Sequence, residues 1–163
     1  MKINSYFQIF IPTLPHLSDE IKKRTKKWKM DTIITMDNKQ MENYFLKTKI
    51  ALVCSGTASL EIAKRGIPQL VIYKLNYFTE LIASFFIKIK FANILNILEN
   101  KMIIPEITNS NLNKNIFIKQ FVNLLLDEKS NSKQIEEVSR AISKIELLNP
   151  PFEIAAEGIK KFL

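Results

Sequence analysis

Residues 49–73, KIALVCSGTASLEIAKRGIPQLVIY, decide the fold. Ile50, Ala51, Leu52 and Val53 form a short continuous apolar run, the pattern of a strand buried on both faces. Cys54, Ser55, Gly56 and Thr57 break the run, and Ala58–Arg65 reads as a helix with Leu60, Ile62 and Ala63 turned inward. Gly66 is placed to end that helix in a left-handed conformation, and Pro68 prevents it from resuming. Leu70, Val71 and Ile72 make a second buried strand, so the stretch is a βαβ unit.

The chemistry of this unit lies in its first turn. Gly56 has no Cβ and permits close backbone approach, Ser55 and Thr57 carry hydroxyls, and the first free N–H groups of the helix point into the same space. Together they form a seat for an anion such as a phosphate. Glu61 shares a helical face with Thr57 and lies within reach of sugar hydroxyls. The same residues also suit a helix start in which Ser55 and Thr57 only cap and Glu61 is solvated; one glycine-containing turn does not separate the two readings.

Working outward on the N-terminal side, Tyr6–Ile11 reads as a strand closed by Pro12 and Pro15. Leu17–Lys29 reads as a helix with Leu17, Ile21, Thr25 and Trp28 on one face. Its basic residues, Lys22, Lys23, Arg24, Lys26, Lys27 and Lys29, form a solvated face or a patch for anionic lipid headgroups. Thr32–Thr35 is a second short strand, and Asn38–Lys47 a helix packed through Met41, Tyr44 and Phe45. Strands and helices alternate, which predicts a parallel, doubly wound α/β sheet with ligands beyond the carboxyl ends of its strands.

On the C-terminal side, Tyr77–Lys90 is the most apolar helical candidate, through Phe78, Leu81, Ile82, Phe85, Phe86 and Ile89. It reads as core or as a surface that meets a bilayer. Phe91–Glu106 reads as irregular and partly extended. Three helices follow: Asn111–Glu128, Ser130–Leu148 and, after Pro150-Pro151, Phe152–Leu163. The whole is expected to be one domain, 1–163, with a βα core at 1–106 and C-terminal helices at 107–163.

Composition narrows the function classes. Cys54 is the single cysteine, which excludes an internal disulfide and suggests a reducing compartment. With His16 as the one histidine, no zinc-type cluster can be drawn, and no metal or cofactor is expected. No run of roughly 18 apolar residues predicts a membrane span. The net charge of +8 accompanies a sequence rich in Lys, Ile and Asn together. No aromatic-interleaved basic motif is present, and nucleic acid is not an expected partner.

The segment SGTASLEIAKRGIPQLVIYK resembles the donor-site segment of lipid-A-disaccharide synthases, glycosyltransferases of the GT-B fold, in which an S-G-T-x-x-L-E turn is followed by a P-x-V-V-x-Y-K-like strand. FANILNILENKMIIPE resembles that family's N-I-L-x-x-x-x-V-V-P-E block, with Asn96 on its asparagine and Pro105-Glu106 on its closing pair. The resemblance implies a Rossmann-like parallel sheet, the C-terminal half of a GT-B fold with its first strand and a Gly-Ser-Arg turn missing. It implies a UDP-sugar donor site at Ser55, Gly56, Thr57, Glu61 and Asn96, with Tyr73, Lys74 and Glu106 as further candidates. The family reaction joins UDP-2,3-diacylglucosamine to lipid X in a β-1,6 bond and releases UDP. The acceptor, a lipid-linked sugar, would be held by an absent or separate N-terminal domain, so the chain alone is expected to be inactive and no catalytic residue is assigned. A cytoplasmic protein, peripheral at the inner face of a Gram-negative inner membrane, is implied. A homodimer, a non-catalytic interaction domain or remnant, and a basic membrane-surface module stay open.

Overall fold

The structure is a computed structural model that describes residues 7–54, 56–73, 91–108, 113–145 and 151–161. The chain divides into two compact units, Met1–Thr48 and Lys49–Leu163. Among the described residues the strands form two parallel sheets, one in each unit, rather than one continuous sheet.

In the first unit β1 (Ile9–Pro12) pairs in parallel with β2 (Thr32–Thr35), Ile9 opposite Thr32. The connection is α1 (Pro15–Thr25), which starts on a proline whose fixed φ suits a first helical position. It stops at Thr25, earlier than the periodicity predicts. Thr25 Oγ1 turns back to donate to the Ile21 carbonyl at 2.9 Å, and Leu17 and Trp28 remain about half exposed. The basic residues of 22–29 are all exposed, Arg24 being paired with Glu20 at 2.6 Å. Then α2 (Asn38–Phe45) is capped by Asp37, whose carboxylate accepts from the Gln40 amide at 2.7 Å. Phe10 fixes this helix on the sheet, stacking on Tyr44 and meeting Phe45 edge-on, with centroids 5.0 and 5.4 Å away.

The second unit holds β3 (Ala51–Cys54), α3 (Thr57–Lys64), β4 (Gln69–Ile72), α4 (Ile94–Leu98), β5 (Glu106–Ile107), α5 (Lys114–Leu126), α6 (Glu128–Ile145) and α7 (Pro151–Lys160). The sheet order is β3-β4-β5, all parallel. Central β4 is buried on both faces, because successive strand residues point opposite ways. Val71 joins Ala63, Leu95, Ile104, Val138 and Ala141 on one side. Leu70 joins Ile107 and Leu124 on the other, with Phe117 and Phe121 against them.

Two sequence expectations change here. The run at 50–53 is not buried on both faces: Leu52 is 47% exposed, and among the described residues β3 is an edge strand, paired with β4 alone. Within the segment read as irregular and partly extended, Phe91–Glu106, lies α4, and β5 begins at its last residue. Asn93 caps α4 by accepting from the Leu95 amide at 2.9 Å, and β5 is only two residues long, below the length at which periodicity shows. The expected helix at Tyr77–Lys90 lies outside the described residues. Gly66 does end α3 as expected, at φ +66°, with the Ile67 amide reaching the Ile62 carbonyl at 3.3 Å.

Helix α6 is tied to the sheet by a side chain as well as by apolar packing. Gln134, 7% exposed, accepts from the Gln69 amide at 2.7 Å and donates to the Gln69 carbonyl at 3.1 Å. It thus takes both backbone groups of the first residue of β4. Replacing Gln134 with alanine orphans both in the interior and should cost about 2–4 kcal/mol, read by denaturant unfolding.

Candidate functional site

The carboxyl end of β3 delivers the chain directly into α3. Gly56 occupies the N-cap of this helix at φ +141°, ψ −161°, a region open in practice to glycine alone. A Cβ built there would meet no described atom within 4 Å, so the residue is required by its backbone and not by crowding. The N-cap residue of α3, a glycine, makes no side-chain cap hydrogen bond. The amides of Thr57 and Ala58 precede the first helical hydrogen bond and belong to the orphan set of a helix start. Cys54, Gly56, Thr57 and Ala58 are all exposed, so the positive end of the helix opens to solvent. The arrangement can hold an anion on backbone N–H groups without any cationic side chain.

Glu61 is exposed one turn further on, and its carboxylate accepts from Arg65 Nη2 at 3.1 Å. An i,i+4 pair of this exposure is worth only about 0.3–0.5 kcal/mol, so it holds Glu61 loosely. Tyr73, half-buried, follows β4 and donates its amide to the Ile107 carbonyl at 2.9 Å. Ser55 and Lys74 lie outside the described residues.

Asn96 and Glu106 face inward. Asn96 is fully buried; its Oδ1 accepts from the Ile103 and Ile104 amides, each at 2.9 Å, and its Nδ2 donates to the Ile104 carbonyl at 2.7 Å. Placed so, it folds the 101–104 loop back over α4 and presents no surface to a ligand. Glu106 accepts from the Ala92 amide at 2.9 Å and the Asn93 amide at 2.8 Å, and so holds the backbone that enters α4.

Sequence reasoning missed a buried polar cluster directly beneath the turn. Ser59, 1% exposed in the first turn of α3, donates its hydroxyl to Gln69 Oε1 at 2.8 Å and accepts from Asn93 Nδ2 at 2.7 Å. Gln69 Nε2 returns a bond to the Ser59 carbonyl at 3.0 Å. The available signal was a glutamine at the head of an otherwise apolar strand, a position where only a satisfied amide is tolerated.

No group of three or more His, Cys, Asp or Glu that could hold a metal ion occurs among the described residues. No described helix is long and apolar enough to cross a membrane.

The turn, its helix and the 96–106 block stand in the order and spacing noted in the sequence, and the sequence profile of the lipid-A-disaccharide synthetase family matches residues 2–150. The chain belongs to that family. It is 31% identical over 165 residues to the lipid-A-disaccharide synthase of Rickettsia bellii (strain OSU 85-389), covering 88% of this chain and 42% of that protein. Against the lipid-A-disaccharide synthase of Rickettsia canadensis the figures are 35% over 126 residues, 76% and 32%. Against that of Rhodospirillum centenum they are 23% over 155 residues, 93% and 38%. The chain therefore spans about two fifths of the length of these relatives or less. Gly56 and α3 lie in the stretch SGTASLE, and Asn96 and Glu106, in the stretch FANILNILENKMIIPE, brace the loop and the entry to α4.

Proposed function

We propose that the chain supplies the UDP-sugar donor site of a lipid-A-disaccharide synthase-type glycosyltransferase. The observation that carries this reading is Gly56 at the N-cap of α3, in its left-sided conformation at the carboxyl end of β3, in a chain of this family. The reaction would join UDP-2,3-diacylglucosamine to lipid X through a β-1,6 bond and release UDP. Negative charge builds on the departing diphosphate, and preorganised N–H donors at a helix start stabilise it without reorganising. The amides of Thr57 and Ala58, with the Thr57 hydroxyl, take that part; Glu61 binds a ribose or sugar hydroxyl. Tyr73, at the end of β4, is a further candidate contact, and Asn96 and Glu106 contribute by bracing the 101–104 loop and the entry to α4.

Deprotonation of the acceptor hydroxyl and binding of the lipid-linked acceptor are assigned to a part of the enzyme that these residues do not provide, so the isolated chain should bind donor without turning it over. The exposed basic residues of 22–29 suit a cytoplasmic, membrane-peripheral protein working at an anionic surface. UDP at about a hundred times its Kd should stabilise the folded chain by roughly 2.7 kcal/mol. That corresponds to a rise in Tm of about 5–15 °C; an unchanged Tm at saturating UDP contradicts the reading.

A second reading, a non-catalytic interaction domain or homodimer, is favoured by the half-exposed apolar edge strand β3 and by Phe152 and Ile159 of α7, 73% and 63% exposed. Edge strands of this kind pair readily with another chain.

A further inference from the structure

We propose that Ser59 is a positioning residue for the donor turn, aiming the first-turn amides of α3 through its bonds to Gln69 and Asn93; the inference rests on the donor-site reading above. A helix start that must hold a ligand on its own N–H groups cannot spend them on a side-chain cap, and the N-cap residue of α3, Gly56, offers none. Gly56, Thr57 and Ala58 are exposed, so nothing on their side chains fixes the turn. Ser59 is the first residue of α3 that is buried. A helical serine ordinarily turns its hydroxyl to a carbonyl of its own preceding turn. Here the hydroxyl leaves the helix instead, bridging Gln69 Oε1 at 2.8 Å and Asn93 Nδ2 at 2.7 Å.

Both partners are themselves immobilised. The Gln69 backbone is clamped by Gln134, and Gln69 Nε2 holds the Ser59 carbonyl. The Asn93 amide is held by Glu106, and Asn93 Oδ1 caps α4. The first turn of α3 is thereby referenced to β4, β5, α4 and α6 through one connected set of buried hydrogen bonds. Such a set fixes direction where apolar contact alone permits sliding. The Ser59 amide, bonded to the Gly56 carbonyl at 3.1 Å, carries that reference to the glycine itself.

The experiment compares wild type, Ser59→Ala, Ser59→Thr and Leu124→Ala in two measurements, UDP affinity by calorimetry and amide hydrogen exchange of the unliganded chain. Leu124 packs on the opposite face of the sheet, with Leu70 and Ile107, and lowers stability without touching the polar set. Ser59→Ala should raise the UDP Kd about tenfold and speed exchange at the Ser59 and Leu60 amides, while those of β4 keep their protection. Ser59→Thr, which keeps the hydroxyl, should restore most of the affinity. Leu124→Ala should leave Kd within about twofold of wild type despite an equal or larger fall in Tm. An unchanged Kd in Ser59→Ala, or Kd values that merely follow the Tm ranking, would overturn the proposal. Absence of UDP binding by wild type would instead sink the donor-site reading. Exchange then judges Ser59 alone: local acceleration at the first turn sustains its role in ordering the turn, and uniform acceleration or none overturns it.

Discussion

Alanine at position 56 should weaken UDP binding by about tenfold to a hundredfold, and aspartate should abolish it. The effect is conformational. At φ +141°, ψ −161° Gly56 occupies a region that costs an L-residue about 1–3 kcal/mol. Space is not the difficulty, since no described atom lies within 4 Å of a Cβ built there. An alanine therefore relieves its strain by rotating toward allowed φ. That rotation swings the amides of Thr57 and Ala58 away from a common focus, and a seat made of N–H directions loses its ligand when the directions diverge. Aspartate adds a carboxylate at the positive end of the helix, where it competes for the same amides as an internal anion. Affinity should thus fall further for aspartate than for alanine while the helix itself is no less stable in aspartate, because the added charge suits the dipole. Calorimetric titration of both variants, with thermal unfolding alongside, reads the two effects separately. Equal UDP affinity in wild type and Gly56→Ala would show that the turn does not depend on its glycine.

Asn96→Ala should produce the largest loss of stability of any single change considered, about 3–5 kcal/mol. It would leave the Ile104 amide and carbonyl without their partner, and the Ile103 amide with only its 3.0 Å bond to the Lys101 carbonyl, in a site of zero exposure, and Ile104 itself is a fully buried member of the core. For a unit of this size the loss corresponds to a fall in Tm of roughly 10–20 °C. The family resemblance alone assigns Asn96 to the donor, and the two roles have opposite signatures. A ligand contact would give normal stability with poor UDP affinity; a loop brace gives poor stability with near-normal affinity in whatever fraction stays folded. Denaturant unfolding, followed by UDP titration at a temperature where the variant is folded, distinguishes them. A Tm within a degree or two of wild type would refute the brace.

The βαβ unit at 49–73 was legible because three signals agree there: two apolar runs of strand length, a glycine in each turn, and Pro68 after Gly66. The turn at Gly56 was legible for the same reason, since the residue that permits the backbone conformation is also the one that leaves the helix start uncapped. The edge position of β3 was not. Ile50–Val53 has the composition of a central strand, and composition reports how apolar a strand is, not how many neighbours it has. Strand β5 and helix α4 were illegible for want of length, being two and five residues. The inward use of Asn96 and Glu106 was hidden for a different reason. An asparagine that braces a loop and one that binds a sugar are the same letter, and only burial and partners separate them. Ser59, Gln69 and Asn93 drew no attention because they are scattered over 35 positions and meet only in three dimensions.

The measurement that bears most directly on the account is a calorimetric titration of UDP into the purified chain, its fold first confirmed by a cooperative thermal transition. The account predicts saturable binding at one site, lost in Gly56→Asp, with no sugar transfer by the same sample when donor and acceptor are supplied. A cooperatively folded chain that takes up no UDP would contradict it, and the interaction-domain reading would then stand in its place.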